Sequence, residues 1–134
     1  PTPWANSTTE ALPEQAMPRP IAPLPTRIHD KPLRSGQRIY ARGSDLVVLG
    51  VVSFGAEVIA DGSIHVYGPL RGRAIAGACG DRQARIFALS MQPQLVSIAG
   101  NWRTLEEGSF PEVAGKMAQV RLEGERLLLE PLRG

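Results

Sequence analysis

From Arg34 onward, apolar residues arrive in short bursts rather than at the three-to-four spacing of an amphipathic helix. The bursts run from Leu46 to Val52, Ala56 to Ala60, Ser63 to Tyr67, Arg73 to Ala76, Ala84 to Leu89 and Leu95 to Ala99. They are short, largely aliphatic, and separated by segments containing Gly, Pro or Asp, which predicts β-strands joined by tight turns. No stretch keeps a helical period long enough to predict a helix. Before Arg34 the pattern is lost. Residues 1–33 hold 8 of the 12 prolines and none of the 14 glycines. Proline fixes φ and removes a backbone donor, so this segment is expected to be an extended, flexible linker. As polyproline II it would reach roughly 100 Å, at about 3.1 Å per residue. The alternative is a poorly folded terminus. The sequence starts at Pro1 within this low-complexity stretch, which predicts a piece of a longer chain with a further domain upstream.

The spacing of the strands is more informative than the strands themselves. Leu46 and Val48 recur eighteen positions on as Ile64 and Val66, and Ala56 and Val58 as Ala74 and Ala76. Ile64 and Val66 recur after twenty-two positions as Ile86 and Ala88, as if one corner had gained residues. Eighteen residues make three sides of about six, with corners at the glycines. That suits a triangular coil whose rungs stack at about 4.8 Å with parallel strand pairing. A Greek-key sandwich of short antiparallel strands is the competing architecture. Further on, Ala118 to Glu123 and Arg126 to Glu130 flank Gly124. They predict a hairpin or a pair of strands closing the open end of the coil, which would otherwise template aggregation. Phe110 to Val113 fits a single helical turn or a loop.

Side chains alternate across a strand. With Leu46, Val48, Ile64, Val66, Ile86 and Ala88 inward, Val47, Leu49, His65, Tyr67, Phe87 and Leu89 face outward. Stacking places Val47 beside His65 beside Phe87, and Leu49 beside Tyr67 beside Leu89. An apolar column on a solvent face marks an interface. A two-fold homodimer would bury it on both subunits; coverage by the chain's own C-terminal strands is the alternative.

Composition narrows the function. The net charge is +2, with 15 basic residues spread along the chain against 13 acids, so no nucleic-acid partner is expected. One cysteine, Cys79, excludes an internal disulfide and suits a reducing cytoplasm; it reads as a small core or corner residue. No apolar run approaches the ~18 residues of a membrane span, and no basic-then-apolar leader opens the sequence. Nucleophile elbows, phosphate loops and Cys/His metal spacings are missing, so no enzyme activity, metal or cofactor is expected. His29 falls in the linker and His65 in a strand without catalytic companions. Asp45, Asp61 and Asp81 sit at corners, where Asp commonly bonds a turn's amide. Arg71 and Arg73 flank Gly72 as a basic knob. It can grip a carboxylate or phosphate, or simply be solvated.

These residues resemble the C-terminal domain of the MinC family of bacterial septum-site inhibitors. The resemblance runs from Arg34 to about Leu132. It rests on Arg34 to Tyr40, Gly55 to Glu57, Ala60 to Gly68, Arg71 to Ala74, Ala78 to Asp81, and Leu95 to Gly100. It implies an all-β fold, a right-handed parallel β-helix forming a triangular prism capped by C-terminal strands, over residues 34–134. It implies a dimerising module that binds the ATP-bound dimer of MinD, reaches the membrane only through MinD, and helps to block FtsZ ring assembly. The family's MinD-binding positions fall on Arg34, Ser35, Gly36, Gln37, Gly55 and Arg73. A position linked to the FtsZ C-terminal tail falls on Glu57. The eighteen-residue spacing would put Gly55 and Arg73 on adjacent rungs at the same corner. Two rival functions stand beside this one. A polysaccharide-acting β-helix enzyme needs clustered carboxylates, and the acids here are scattered. A bactofilin-like structural subunit would polymerise on its own.

Overall fold

The computed structural model describes residues 25–106 and 110–132. Most of the expected linker therefore lies outside the described residues. Eleven strands follow one another: β1 (Arg27–His29), β2 (Arg38–Ala41), β3 (Leu46–Val48), β4 (Glu57–Ala60), β5 (Ile64–Leu70), β6 (Arg73–Ala76), β7 (Ile86–Met91), β8 (Leu95–Ile98), β9 (Asn101–Thr104), β10 (Ala118–Glu123) and β11 (Arg126–Pro131). No helix occurs among the described residues. Phe110 to Ala114 forms a single turn closed by two amides donating to the Phe110 carbonyl.

The chain winds as a parallel β-helix of triangular section. One side is a sheet in the order β1-β3-β5-β7-β10-β11, and a second is a sheet in the order β2-β4-β6-β8-β9. The third side is a ladder of single-residue bridges: Leu33 to Val52, Val52 to Leu70, and Met91 to Ala114. Leu70 and Met91, paired at the ends of β5 and β7, link them. Each turn of the coil visits the first sheet, then the ladder, then the second sheet. The pairing is parallel until the end of the coil, where β9 and β10 each join antiparallel. The interior is filled by aliphatic side chains, and Leu46, Val48, Ile64, Ile86, Val58, Ala74 and Val96 have no exposed surface. The expected inward set is buried throughout.

On the first sheet the expected spacing holds. Leu46 pairs with Ile64, and Ile64 with Ile86. On the second sheet it does not. Val58 pairs with Ala74 rather than Ala76, so Ala74 has Val58 and not Ala56 beside it. The cause is a shortened corner. Four residues, Ser53 to Ala56, separate Val52 from β4, whereas Arg71 and Gly72 alone separate Leu70 from β6. A shift of two residues keeps every inward side chain inward. The burial pattern therefore gave no sign of the change in register.

The two ends are closed differently. The antiparallel β10–β11 hairpin extends the first sheet beyond β7, as the tail pattern predicted. At the other end the first described strand is β1, ahead of the boundary expected at Arg34. Residues Arg27 to His29 pair with β3, and Leu33 is buried, so His29 and Leu33 belong to the prism and not to a linker. Pro25 and Pro32 lie outside this three-residue edge strand, where a missing N–H costs no ladder bond. Arg27 and His29 occupy the positions that hold Leu46 and Val48 one rung below. Arg27 Nη1 donates to the Tyr40 carbonyl of β2 at 3.0 Å. A charged arginine and a polar histidine at the inward positions of this rung blunt an edge against further strand addition.

Candidate protein-binding corner

Four successive corners stack where the ladder meets the second sheet. The first, Arg34 to Gln37, closes on itself: the Gln37 amide donates to the Arg34 carbonyl at 2.9 Å, and the Arg34 amide to Gln37 Oε1 at 2.7 Å. Below it, Ser53 to Ala56 turns with the Ala56 amide on the Ser53 carbonyl at 2.9 Å. Gly55 ties the corners together. Its carbonyl accepts the Gly36 amide at 3.0 Å, and its own amide donates to Gln94 Oε1 at 2.8 Å. Gly55 sits at φ +86°, and a Cβ there would run into the Ser35 hydroxyl. The left-handed backbone favours glycine here, and a Cβ would also force the Ser35 hydroxyl to turn aside. The third corner, Arg71–Gly72, tucks beneath the second, and the fourth, Gln92 to Gln94, hangs from it by the Gln94 amide on the Gly72 carbonyl at 2.8 Å.

Beside this stack runs a charged column on the outer face of the second sheet. Arg38 pairs in register with Glu57, and Glu57 with Arg73. Arg38 Nε lies 2.6 Å from Glu57 Oε1, and Arg73 Nη1 lies 4.0 Å from Glu57 Oε2. The carboxylate is 15% exposed, while the Arg38 and Arg73 side chains are 70% and 49% exposed. Exposed pairs of this kind contribute little to stability, about 0–1 kcal/mol. Their chemical effect is to hold two planar guanidinium groups on one rim, with donors left over for a partner's carboxylates or carbonyls.

Gly36, Gln37, Arg38, Gly55, Glu57 and Arg73 line one shallow depression, with Ser35 packed against Gly55 and Arg34 opening the same turn. The residues singled out from sequence are therefore neighbours in space, drawn from three turns of the coil. One detail differs: Glu57, not Gly55, stacks on Arg73, because of the shortened corner. Arg38 and Gln94 were not foreseen. Arg38 follows from the first repeat, which aligns Ile39 with Val58; Gln94 carries no sequence signal, since its link to Gly55 spans distant parts of the chain.

The outward column of the first sheet assembles as expected at its centre. Val47, His65 and Phe87 are in register, and the His65 and Phe87 rings stack with centroids 4.9 Å apart. Ile28, also unforeseen and 63% exposed, extends the column at one end. Leu49, Tyr67 and Leu89 stand exposed beside it. A register slip between Val66 and Pro69 sets Tyr67 and Gly68 against Leu89, so these three are less regularly stacked. The β10–β11 hairpin continues the sheet sideways, and no described element covers the column.

The remaining polar residues serve the corners. Asp45 Oδ1 accepts the Ser63 amide at 2.8 Å, and Asp81 Oδ1 accepts the Gln83 amide at 2.9 Å. Asp61 accepts the Tyr40 hydroxyl at 2.7 Å and the Gly43 amide at 2.6 Å. That hydroxyl bond holds the Tyr40 phenol above its ordinary pKa. Cys79 is an exposed corner residue. Among the described residues no three His, Cys, Asp or Glu side chains come together as a metal site, and no helix is long and apolar enough to cross a membrane.

Comparison with known proteins bears on this arrangement. The family model for the septum formation inhibitor MinC, C-terminal domain, matches residues 27–132. The chain is 55% identical over 130 residues to the probable septum site-determining protein MinC of Chromobacterium violaceum, covering 96% of this chain and 54% of that protein. It is 60% identical over 110 residues to the probable MinC of Cupriavidus metallidurans, covering 82% of this chain and 39% of that protein. The chain thus spans about half the length, or less, of these curated relatives. A solved structure titled MinC:MinD cell division protein complex, from Aquifex aeolicus, matches with a TM-score of 0.76 at 42% identity, covering 83% of this chain and 89% of that one. The family match starts at the first strand of the prism and ends just past its last, and on that ground the chain belongs to the MinC C-terminal domain family.

Proposed function

We propose that this domain is a homodimeric adaptor of cell division that docks its stacked corner on the ATP-bound MinD dimer. The observation that carries the reading is the gathering of Gly36, Gln37, Gly55 and Arg73 into one depression, with Arg34 and Ser35 on the same turn. The similar chain in a MinC:MinD complex supports the choice of partner. Gly36 and Gly55 let a partner backbone approach closely, and Arg34 and Arg73 offer planar donors. Binding would carry a cytoplasmic module to the inner membrane through MinD, where it helps to block FtsZ ring assembly. Glu57, held between Arg38 and Arg73, marks where the FtsZ C-terminal tail engages. Val47, Leu49, His65, Tyr67, Phe87 and Leu89 form the dimer contact, supported by an apolar column that no described element covers. The role requires no catalysis, cofactor or nucleic acid.

Co-sedimentation with MinD on lipid vesicles, with ATP, with ADP and without nucleotide, tests the assignment. The chain is expected in the pellet with ATP alone. Arg34→Ala and Gly55→Asp are expected to abolish pelleting while ultracentrifugation still reports dimers. Normal pelleting by both variants refutes the site.

A further inference from the structure

The shortened third corner does more than shift a register. With only Arg71 and Gly72 spanning it, the prism is notched beneath the overhanging Ser53–Ala56 turn. The notch is an open groove of about 390 Å³ whose lining is mainly apolar. Phe54 forms its upper lip, Leu105 and Phe110 line it from across, and Arg71 and Gln94 are among its polar residues. Phe54 is 67% exposed, the most exposed of the large hydrophobic side chains in the described structure. Phe110, opposite, is held by Arg103, whose guanidinium carbon lies 4.5 Å from its ring centroid.

We infer that this notch is a second half of the MinD-binding surface, receiving a protruding aliphatic or aromatic side chain of MinD; the inference rests on the function proposed above. Two observations commit it to that occupant. The notch is continuous with the docking corner: Phe54 precedes Gly55 in the same turn, and Gln94 both accepts the Gly55 amide and lines the groove. A partner seated on Gly36 and Gly55 therefore overhangs the notch. The corner also lies opposite the first sheet in the triangular section, so a second copy paired through that sheet faces away from it. The polar corner then sets orientation, and the notch buries an apolar anchor at its edge, the division of labour common in protein interfaces.

The test is a titration of the dimeric chain against MinD with ATP. Phe54→Asp is expected to weaken binding at least about tenfold, the range for losing one buried aromatic contact. Phe54→Leu, which keeps an apolar lip, is expected to stay within about threefold of the parent. Melting curves should be unchanged for both, because the side chain is exposed. Unaltered affinity in Phe54→Asp, with Gly55→Asp inactive, overturns the notch and leaves the corner standing. Equal losses in Phe54→Asp and Phe54→Leu overturn an apolar anchor. Conversion of Phe54→Asp to monomers shows the occupant to be a second copy and also overturns it. Failure of the parent chain to bind MinD at all removes the proposed function together with the notch.

Discussion

Replacing Gly72 by alanine isolates what the stacked corner demands. Gly72 is buried beneath the preceding corner, and a Cβ would lie 2.6 Å from the Ser53 carbonyl oxygen and closer still to that of Ala56. An ordinary carbon–oxygen contact needs about 3.3 Å, so the rungs must part by at least roughly 0.7 Å. Neither oxygen can rotate away. The Ser53 carbonyl accepts the Ala56 amide and the Ala56 carbonyl accepts the Arg73 amide, both at 2.9 Å. Overpacking of this kind costs about 1–3 kcal/mol, and loss of one of these backbone bonds adds about 0.5–1.5 kcal/mol. A total of about 1.5–4.5 kcal/mol lowers Tm by roughly 8–27 °C in a domain of this size. Circular dichroism melts at matched protein concentration, which keeps any contribution from self-association equal, measure the shift. A fall of under about 3 °C would refute the reasoning, since it would mean the corners are not held rung against rung. Gly55→Ala provides the contrast. There the obstacle is the Ser35 hydroxyl, which can turn aside, and the left-handed backbone is left to cost about 1–2 kcal/mol.

Tyr67→Asp and Leu49→Asp, both at exposed positions, are expected to leave melting of the single chain unchanged and to give monomers by ultracentrifugation; persistent dimers would move the interface elsewhere. Arg121 Nε and Nη2 grip Glu130 at 2.7 and 3.0 Å, and this bond holds the Glu130 carboxyl below its ordinary value of 4.5. A lowered folded pKa means that the unfolded chain binds the proton first, so stability is present above pH 4.5 and lost as pH falls through the lower folded value. Glu130→Gln should therefore flatten the fall of Tm with pH below about 4.5, and an unchanged acid limb would show the pair to be inert. Arg27→Val combined with His29→Val should make the first described rung apolar and yield larger end-to-end assemblies by light scattering; an unaltered particle size would show that these two side chains do not guard the end.

The fold was legible because period-two alternation reports burial directly. Ile64 and Val66, or Ile86 and Ala88, read as inward without any knowledge of their neighbours. The site was only partly legible. Its glycines and arginines appear in the sequence, but which of them stack depends on corner length, and a two-residue change leaves alternation intact. That is why Arg73 was expected over Gly55 and lies over Glu57 instead. β1 was missed for a related reason. Its inward positions are Arg27 and His29, so the first rung reads as polar linker although its backbone pairs with β3. Gln94 was invisible because a side chain that caps a remote amide leaves no periodic trace.

Those same features decide how such a prism associates. A coil of parallel rungs offers three kinds of surface: its ends, its sides and its corners. End-to-end growth, the route to a self-assembled filament, meets Arg27 and His29 on the first described rung, a polar edge that works against strand addition, and a switch to antiparallel pairing at the other end. Sideways pairing through the first sheet closes after two copies, because a two-fold contact consumes the same patch on each. The corner opposite that sheet then points outward on both subunits. A dimer built in this way has two identical docking corners facing in opposite directions, and it extends only through a second protein that is itself at least bivalent. On the proposed function, dependence of higher assembly on MinD would follow from a charged first rung, an apolar side and a glycine-built corner across from it.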